Sequence, residues 1–225
     1  MTTDRSGAGD PVRTLELLWR EPGQGARSGL AALTMRALAQ RLGVTPMTLY
    51  TYVPGKAELL DLMLDAVYLA MERGGPAPDG AWRERVARVA EENRALFLRH
   101  PWIGELSVTR PPLGPGVIGK YEHELAAFDG IGLTDVEMDA ALTHLLGFVH
   151  AQALAAADTA AHNARLSDQE WWELSAPLLE RAMDPERYPL AGRVGSAVGG
   201  YSPGTVWDFG LRCVLDGIAR LLERG

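Results

Sequence analysis

The sequence predicts an all-α protein. Apolar residues recur at helical spacing along most of the chain, no stretch sustains period-2 alternation with β-branched residues, and proline and glycine clusters cut the chain into helix-sized lengths. With 225 residues, 47% of them hydrophobic, and a mean hydropathy of −0.07, the chain can bury a sizeable core as one large domain or two smaller ones.

Taken in order, Arg13 to Arg20 reads as a short helix ended by Glu21-Pro22-Gly23, and Gln24 to Gly29 as a flexible basic linker. Thr34 to Leu42 is the next helix, with Leu38 and Leu42 on the face of Met35 and Gly43 as its stop. Thr45-Pro46 puts an N-cap hydroxyl before a proline at the first helical position, and that helix runs to about Tyr52, where Pro54-Gly55 breaks it. Lys56 to Arg73 is long and amphipathic, with Leu59, Leu60, Met63, Leu64 and Val67 on one side, and Gly74 to Gly80 is a linker.

A second helical block starts with Ala81 to His100, where Trp82, Val86, Val89, Leu96 and Phe97 form the expected core. Pro101 to Gly116 is a broken connection, and Val117 to Asp129 a further helix. Thr134 to about Arg165 is long and alanine-rich, with Thr134 and Glu137 spaced as a capping box; Ser167 to Met183 opens on a similar Ser167/Glu170 pair. Pro185 to Val198 reads as irregular or weakly helical, and Pro203 to Leu222 as the last helix. Ala140, Ala141, Gly147, Ala151 and Ala155 let another helix approach closely, from a second chain or from within the same one.

Charge is distributed unevenly. The net value is −7, yet residues 11 to 56 balance at +4 and residues 57 onward at −10. A basic head on an acidic body suits nucleic-acid binding, because phosphates need only a local basic face. The single cysteine, Cys213, excludes an intramolecular disulfide and reads as a buried structural thiol in an apolar helix. No run of about 18 or more uninterrupted apolar residues occurs, and the first thirty residues lack the order of a secretory signal, so no membrane partner and a cytoplasmic location are expected.

The informative stretch runs from Leu33 to Lys56: a helix, a tight glycine turn and a short capped helix, which is the helix-turn-helix plan. Ala39 sits where two crossing helices must approach, Gly43 supplies a left-handed turn, and Val44 and Leu49 are spaced to pack back on the first helix. Thr45, Met47, Thr48, Thr51 and Tyr52 are left facing outward, able to reach phosphates and base edges in a major groove. Tyr50 and Tyr52 have an alternative reading as half-buried core aromatics, and Arg41 reads as a solvated surface charge.

Over Leu33 to Leu60 the sequence resembles the tetracycline-repressor (TetR) family, whose DNA-binding domains follow the pattern LTMRxLAxxLGVxxxxLYxYVxxKxxLL. The resemblance covers about an eighth of the chain. It implies that Thr45, Pro46, Met47 and Thr51 lie at or near base edges, that Thr34, Thr48, Tyr50, Tyr52 and Lys56 contact phosphates, and that Arg36 reaches a guanine. One departure stands out: the helix that precedes this segment in the family is missing or replaced, since Gly29-Leu30-Ala31-Ala32 leads straight into Leu33. Either Arg13 to Arg20 crosses back to supply Leu15, Leu17, Leu18 and Trp19, or the head has lost a third of its core.

The same resemblance implies three regions: an N-terminal extension over 1–29, the helix-turn-helix with its connecting helix over 30–73, and a helical-bundle domain for ligand binding and dimerisation over 80–225. The implied homodimer pairs helices near 134–161 and 203–222 and presents two heads to palindromic double-stranded operator DNA. A small-molecule effector would release them. The aromatic and polar side chains expected to line its pocket are Asn93, Phe97, His100, Trp102, His123, Phe128, His144, Phe148, Gln152, Trp171 and Trp172, with one ring of the tryptophan doublet in core and the other toward a cavity or interface.

Other classes find little support. There is no P-loop, dinucleotide fingerprint or nucleophile elbow, so no catalytic residue and no cofactor is expected. No metal is expected either, since His144 and His150 are six apart and His100 and His123 lie on different elements. The alternative to a regulator is a dimeric small-molecule sensor or interaction protein that has lost operator binding.

Overall fold

The computed structural model describes residues 33–74, 81–106, 112–163, 167–198 and 203–223. Arg13 to Arg20, with the substitute core that is one of the two readings given for them, and the linker 24–29 lie outside the described residues. Among the described residues there are nine α-helices and no strand: α1 Met35–Arg41, α2 Pro46–Tyr52, α3 Lys56–Leu69, α4 Trp82–Arg99, α5 Pro115–Leu125, α6 Asp135–Asn163, α7 Asp168–Ala182, α8 Pro189–Val198 and α9 Pro203–Leu222. A 3-10 turn, Pro101–Glu105, follows α4. The all-α class is as the periodicity predicts. The helices form two compact units, one ending at Leu133 and the other starting at Thr134, so α4 and α5 share a unit with the helix-turn-helix.

In the first unit, one continuous apolar cluster joins Met35, Leu38 and Ala39 of α1, Leu49 of α2, Leu59, Met63, Leu64, Val67 and Tyr68 of α3, Leu96 of α4, and Trp102 and Ile103 of the 3-10 turn. Helix α3 is therefore half of the head and half of what lies behind it. It ends at Leu69, a turn earlier than its apolar pattern suggests. The reason is a contact with α4: the Arg73 guanidinium donates to the Tyr68 carbonyl (2.8 Å) and the Gly74 N–H to the Glu92 carboxylate (2.8 Å), which draws the chain off the helix axis and onto α4.

Helix α3 packs on α5 at very short range. A Cβ on Gly116 would stand 1.9 Å from the Asp65 carbonyl oxygen, so only glycine permits this crossing. The Asp65 carboxylate meanwhile accepts the Val117 N–H (2.8 Å) in the first turn of α5, where a negative charge is also favoured by the helix dipole. Behind the crossing lies a buried polar group. Lys120 Nζ is 2.6 Å from Glu124 Oε1 and 4.9 Å from the centre of the Tyr68 ring, and Asn93 Nδ2 donates to the same Glu124 oxygen (2.5 Å) and to the Val89 carbonyl (3.0 Å). Burial, and after it the Glu124 charge, pushes the Tyr68 hydroxyl up to about 12. The Arg85 guanidinium completes the unit by donating to the Ala127 and Asp129 carbonyls beyond the end of α5.

In the second unit, α6 packs on α9 through Leu142, Leu145, Val149 and Ala153 on one side and Trp207, Val214, Leu215 and Ile218 on the other. The Phe148 ring stacks on Trp207 at 5.2 Å, and a Cβ on Gly210 would fall 2.3 Å from that ring. Both capping boxes form as spaced: Thr134 with Glu137, and Ser167 with Glu170. Three expectations fail here. Residues 189–198 make a regular helix, whose turn at 184–187 is built by the Asp184 carboxylate accepting the Glu186 and Arg187 N–H groups; Gly192 and Gly195 had lowered its propensity. Cys213 is exposed, because the buried stripe of α9 runs through its neighbours Val214 and Leu215. Trp171 and Trp172 are both exposed and meet each other edge to face at 5.1 Å, so neither ring is core. Residues Asp135–Ala160 of α6 are long and apolar enough to cross a membrane by length and composition alone, and 22% of an 18-residue apolar window within them is buried.

The Gly116→Ala substitution is expected to cost about 3 kcal/mol, since backbone rather than a side-chain end stands in the way of the methyl. Gly119→Ala on the same helix meets only the Arg73 guanidinium and should be neutral or slightly stabilising. Urea unfolding of the two variants checks the contrast.

Candidate functional site

Two threonines build the head. Thr34, extended at φ −126°, accepts the Ala37 N–H on its Oγ1 (3.2 Å) and starts α1; Thr45, at φ −77°, does the same for the Thr48 N–H (3.2 Å) and starts α2, with Pro46 at the first helical position. Between them Gly43 takes φ +68°, the left-handed conformation that a side chain would strain. The turn closes through the Val44 N–H, which donates to the Ala39 carbonyl (3.0 Å). Val44 contributes that backbone bond and not its side chain, which is exposed instead of packing on α1 as its spacing suggested. Leu49 is the only residue of α2 that is buried, and it seats the helix against Leu38 and Ala39.

Everything else on α2 faces out. Met47 is 76% exposed, Tyr50 45% and Tyr52 64%, which disposes of the core reading of the two tyrosines. Thr34, Arg36, Thr45, Pro46, Thr48 and Thr51 are exposed as well, while Lys56, the first residue of α3, is half-buried. The hydroxyls are partly committed: Thr51 Oγ1 donates to the Met47 carbonyl (3.0 Å), and Thr45 and Thr48 share a hydrogen across 2.9 Å. Arg36 and Arg41 project from α1 and carry the positive charge of this face.

This is a helix-turn-helix with a solvent-facing second helix, and the wider sequence agrees. Residues 26–63 match the family of bacterial regulatory proteins, tetR family, and residues 75–222 match the tetracyclin repressor-like C-terminal domain. The chain belongs to the tetracycline repressor family. This TetR-family chain is 36% identical to the HTH-type transcriptional repressor DrrR1 of Streptomyces coeruleorubidus, over 99% of its own length and 91% of that protein's. Among solved structures it is similar to ActR of Streptomyces coelicolor without ligand, at 26% identity and a TM-score of 0.76, covering 100% of this chain and 99% of that one. ActR in complex with actinorhodin matches at 26% identity and a TM-score of 0.75, with 94% and 95% covered. The TetR-family chain is thus a DNA-binding transcriptional regulator, and α1, the turn and α2 are its helix-turn-helix.

The first unit also holds a cleft of about 850 Å3 between the last turns of α3, residues 70–74, and α4. Its floor is apolar, from Val67, Ala70, Met71 and Leu96; its rim carries Glu72, Arg73, Arg88, Glu92 and Arg99. His100 also lines it. Burial, and secondarily the Arg99 guanidinium, holds that imidazole below its ordinary range, so it is neutral at physiological pH. Of the other residues expected at a pocket, His123 pairs with Glu92 of the rim (2.7 Å), Phe97 is half-buried against the head core, and Asn93, Trp102 and Phe128 are wholly enclosed. In the second unit, Phe148 is taken up by its stack on Trp207, Gln152 is half-buried, and His144 is exposed alongside the two tryptophans. The rim charges were missed by sequence reasoning that looked for aromatic rings. Their signal was present in the spacing of Arg88, Glu92 and Arg99, which fall near one face of α4.

A lowered imidazole has a sign that can be checked. As pH falls through about 6.5 the unfolded chain takes up a proton at His100 that the folded chain refuses, so stability drops on the acid side. Between about pH 7.5 and about pH 5.5 the parent should lose more stability than His100→Gln in urea unfolding. Equal losses would show that His100 is not the group responsible.

Proposed function

We propose that this chain is a homodimeric repressor that holds a palindromic operator through α2 of each subunit and leaves it when a small organic molecule fills the cleft beside α3. The observation that carries the reading is the complete helix-turn-helix core, whose outward side chains sit on the same helix pair that α3 locks from behind. Arg36 is assigned to a guanine, Thr45, Pro46, Met47 and Thr51 to base edges, and Thr34, Thr48, Tyr50, Tyr52 and Lys56 to phosphates. Residues 30–73 then serve as the DNA-binding part and 80–225 as the part for ligand and dimer, working in the cytoplasm with the chromosome.

Dimerisation is supported by surface that one chain leaves uncovered. Helices α6 and α9 expose Val136, Leu154, Val206, Phe209 and Leu221, and Ala140, Gly147, Ala151 and Ala155 of α6 are exposed small residues that let a partner helix come close. Isologous pairing of these helices sets two heads about 34 Å apart, one turn of DNA. Release follows as a population shift: a ligand on Val67, Ala70 and Met71 favours conformers in which α3 is displaced from α4, and α3 carries the head with it. An apolar floor with a charged rim suits an amphiphilic organic molecule. ActR, with its bound actinorhodin, makes actinorhodin the first probe to try.

The test is selection of bound fragments from the host genome at about 0.05 and about 0.2 M salt, with and without actinorhodin. A shared palindrome, bound by a dimer, is the expected result; sequence-blind binding at both salts would instead favour a sensor that no longer reads an operator. On the recovered site, Arg36→Ala should cost about 1–3 kcal/mol of specific binding, whereas Lys56→Ala should weaken all DNA alike and lower the salt slope by about 1. Retardation assays on operator and random duplex separate the two.

A further inference from the structure

In a helix-turn-helix the second helix enters the major groove, and here that is Pro46–Tyr52. Its side chains are proline, methionine, threonine, leucine, tyrosine, threonine and tyrosine, with no charge and no carboxamide among them. Paired hydrogen bonds to a purine edge need arginine or lysine for guanine and asparagine or glutamine for adenine, and cytosine is matched by a carboxylate. Helix α2 has none of these. The polar groups it has for a base edge are threonine and tyrosine hydroxyls, so specific reading by this helix rests on those or on another property of the bases.

What α2 does offer is apolar and methyl-bearing. Met47 is its most exposed side chain, an unbranched thioether that adapts to the surface it meets. Thr51 has given its hydroxyl hydrogen to the Met47 carbonyl, which leaves a methyl and lone pairs for a partner. The Thr45 and Thr48 hydroxyls are turned to each other, and Thr45 Oγ1 accepts the Thr48 N–H besides. The one feature of the major groove that such a surface recognises is the C5 methyl of thymine. Met47 and Thr51 are four residues apart, about 6 Å along the helix axis, against about 3.4 Å for a base-pair step, so together they span about two base pairs.

We infer that α2 reads its half-site through the C5 methyl groups of two neighbouring thymines, with Met47 as the principal contact and Thr51 beside it. The inference rests on the DNA-binding reading above and specifies its chemistry: discrimination by α2 from methyl contact, beside the guanine assigned to Arg36, and attachment from the remaining cationic and hydroxyl groups around it.

The experiment begins with selection of binding sites from a random duplex pool by the full-length protein. The recovered half-site is then resynthesised with deoxyuridine in place of each thymine in turn, which removes the methyl and leaves base pairing intact. Two adjacent positions per half-site should each lose about fourfold in affinity, the equivalent of one buried methylene. Met47→Ala, a change at an exposed position that leaves the core untouched, should remove the uracil effect at one of them and leave it in place at the other. A half-site that tolerates uracil at every position overturns the inference and leaves DNA-binding regulation standing; recovery of no common sequence overturns both.

Discussion

The crossing of α3 over α5 at Gly116 is the constraint on which the first unit turns. With no Cβ at that position the two backbones approach to a distance no other residue allows, and the Asp65 carboxylate uses the proximity to hold the first turn of α5. Helix α3 is then fixed from one side. Its other apolar positions, Leu59 and Met63, are free to serve as the floor on which α1 and α2 sit. The head is a seven-residue helix and a seven-residue helix joined by a turn, too short to stand without that floor.

Behind the crossing, Lys120, Glu124 and Asn93 make a buried polar set with the Tyr68 ring. Such a set adds little net stability compared with apolar residues of the same volume, but losing one member strands the others without solvent. Its members come from α3, α4 and α5, so the contacts among them tie the three helices together. The cleft lies next to this set, on the side where Arg73 and Gly74 leave α3 for Glu92 of α4. A molecule bound there would rest on the apolar floor and border a junction made of a few hydrogen bonds.

The parts of this structure that could be read from the sequence are those decided within a few residues. Threonine caps, the Gly43 turn, Pro46 at a helix start and the two capping boxes are local physics, and they appear where the spacing puts them. The outward set on α2 was legible for the same reason. What failed was tertiary or depended on a neighbour. The early end of α3 depends on Glu92 across 18 residues of chain; the exposure of Cys213 and Val44 depends on which side of a helix or turn finds a partner; and α8 was hidden by glycines that a propensity argument penalises. The cleft needed α3 and α4 to be set side by side, and no spacing in one helix announces its facing wall.

On the proposed assignment, α2 meets the DNA with no formally charged side chain. The cations lie beside it, Arg36 and Arg41 on α1 and Lys56 at the start of α3, and among the proposed base contacts only Arg36 is charged. On that reading a substitution at Met47 or Thr51, both exposed, would change which sequence is preferred without disturbing the fit of the core. Copies of such a gene can therefore drift to new target promoters by single codon changes, each intermediate still folded and still resident on the chromosome.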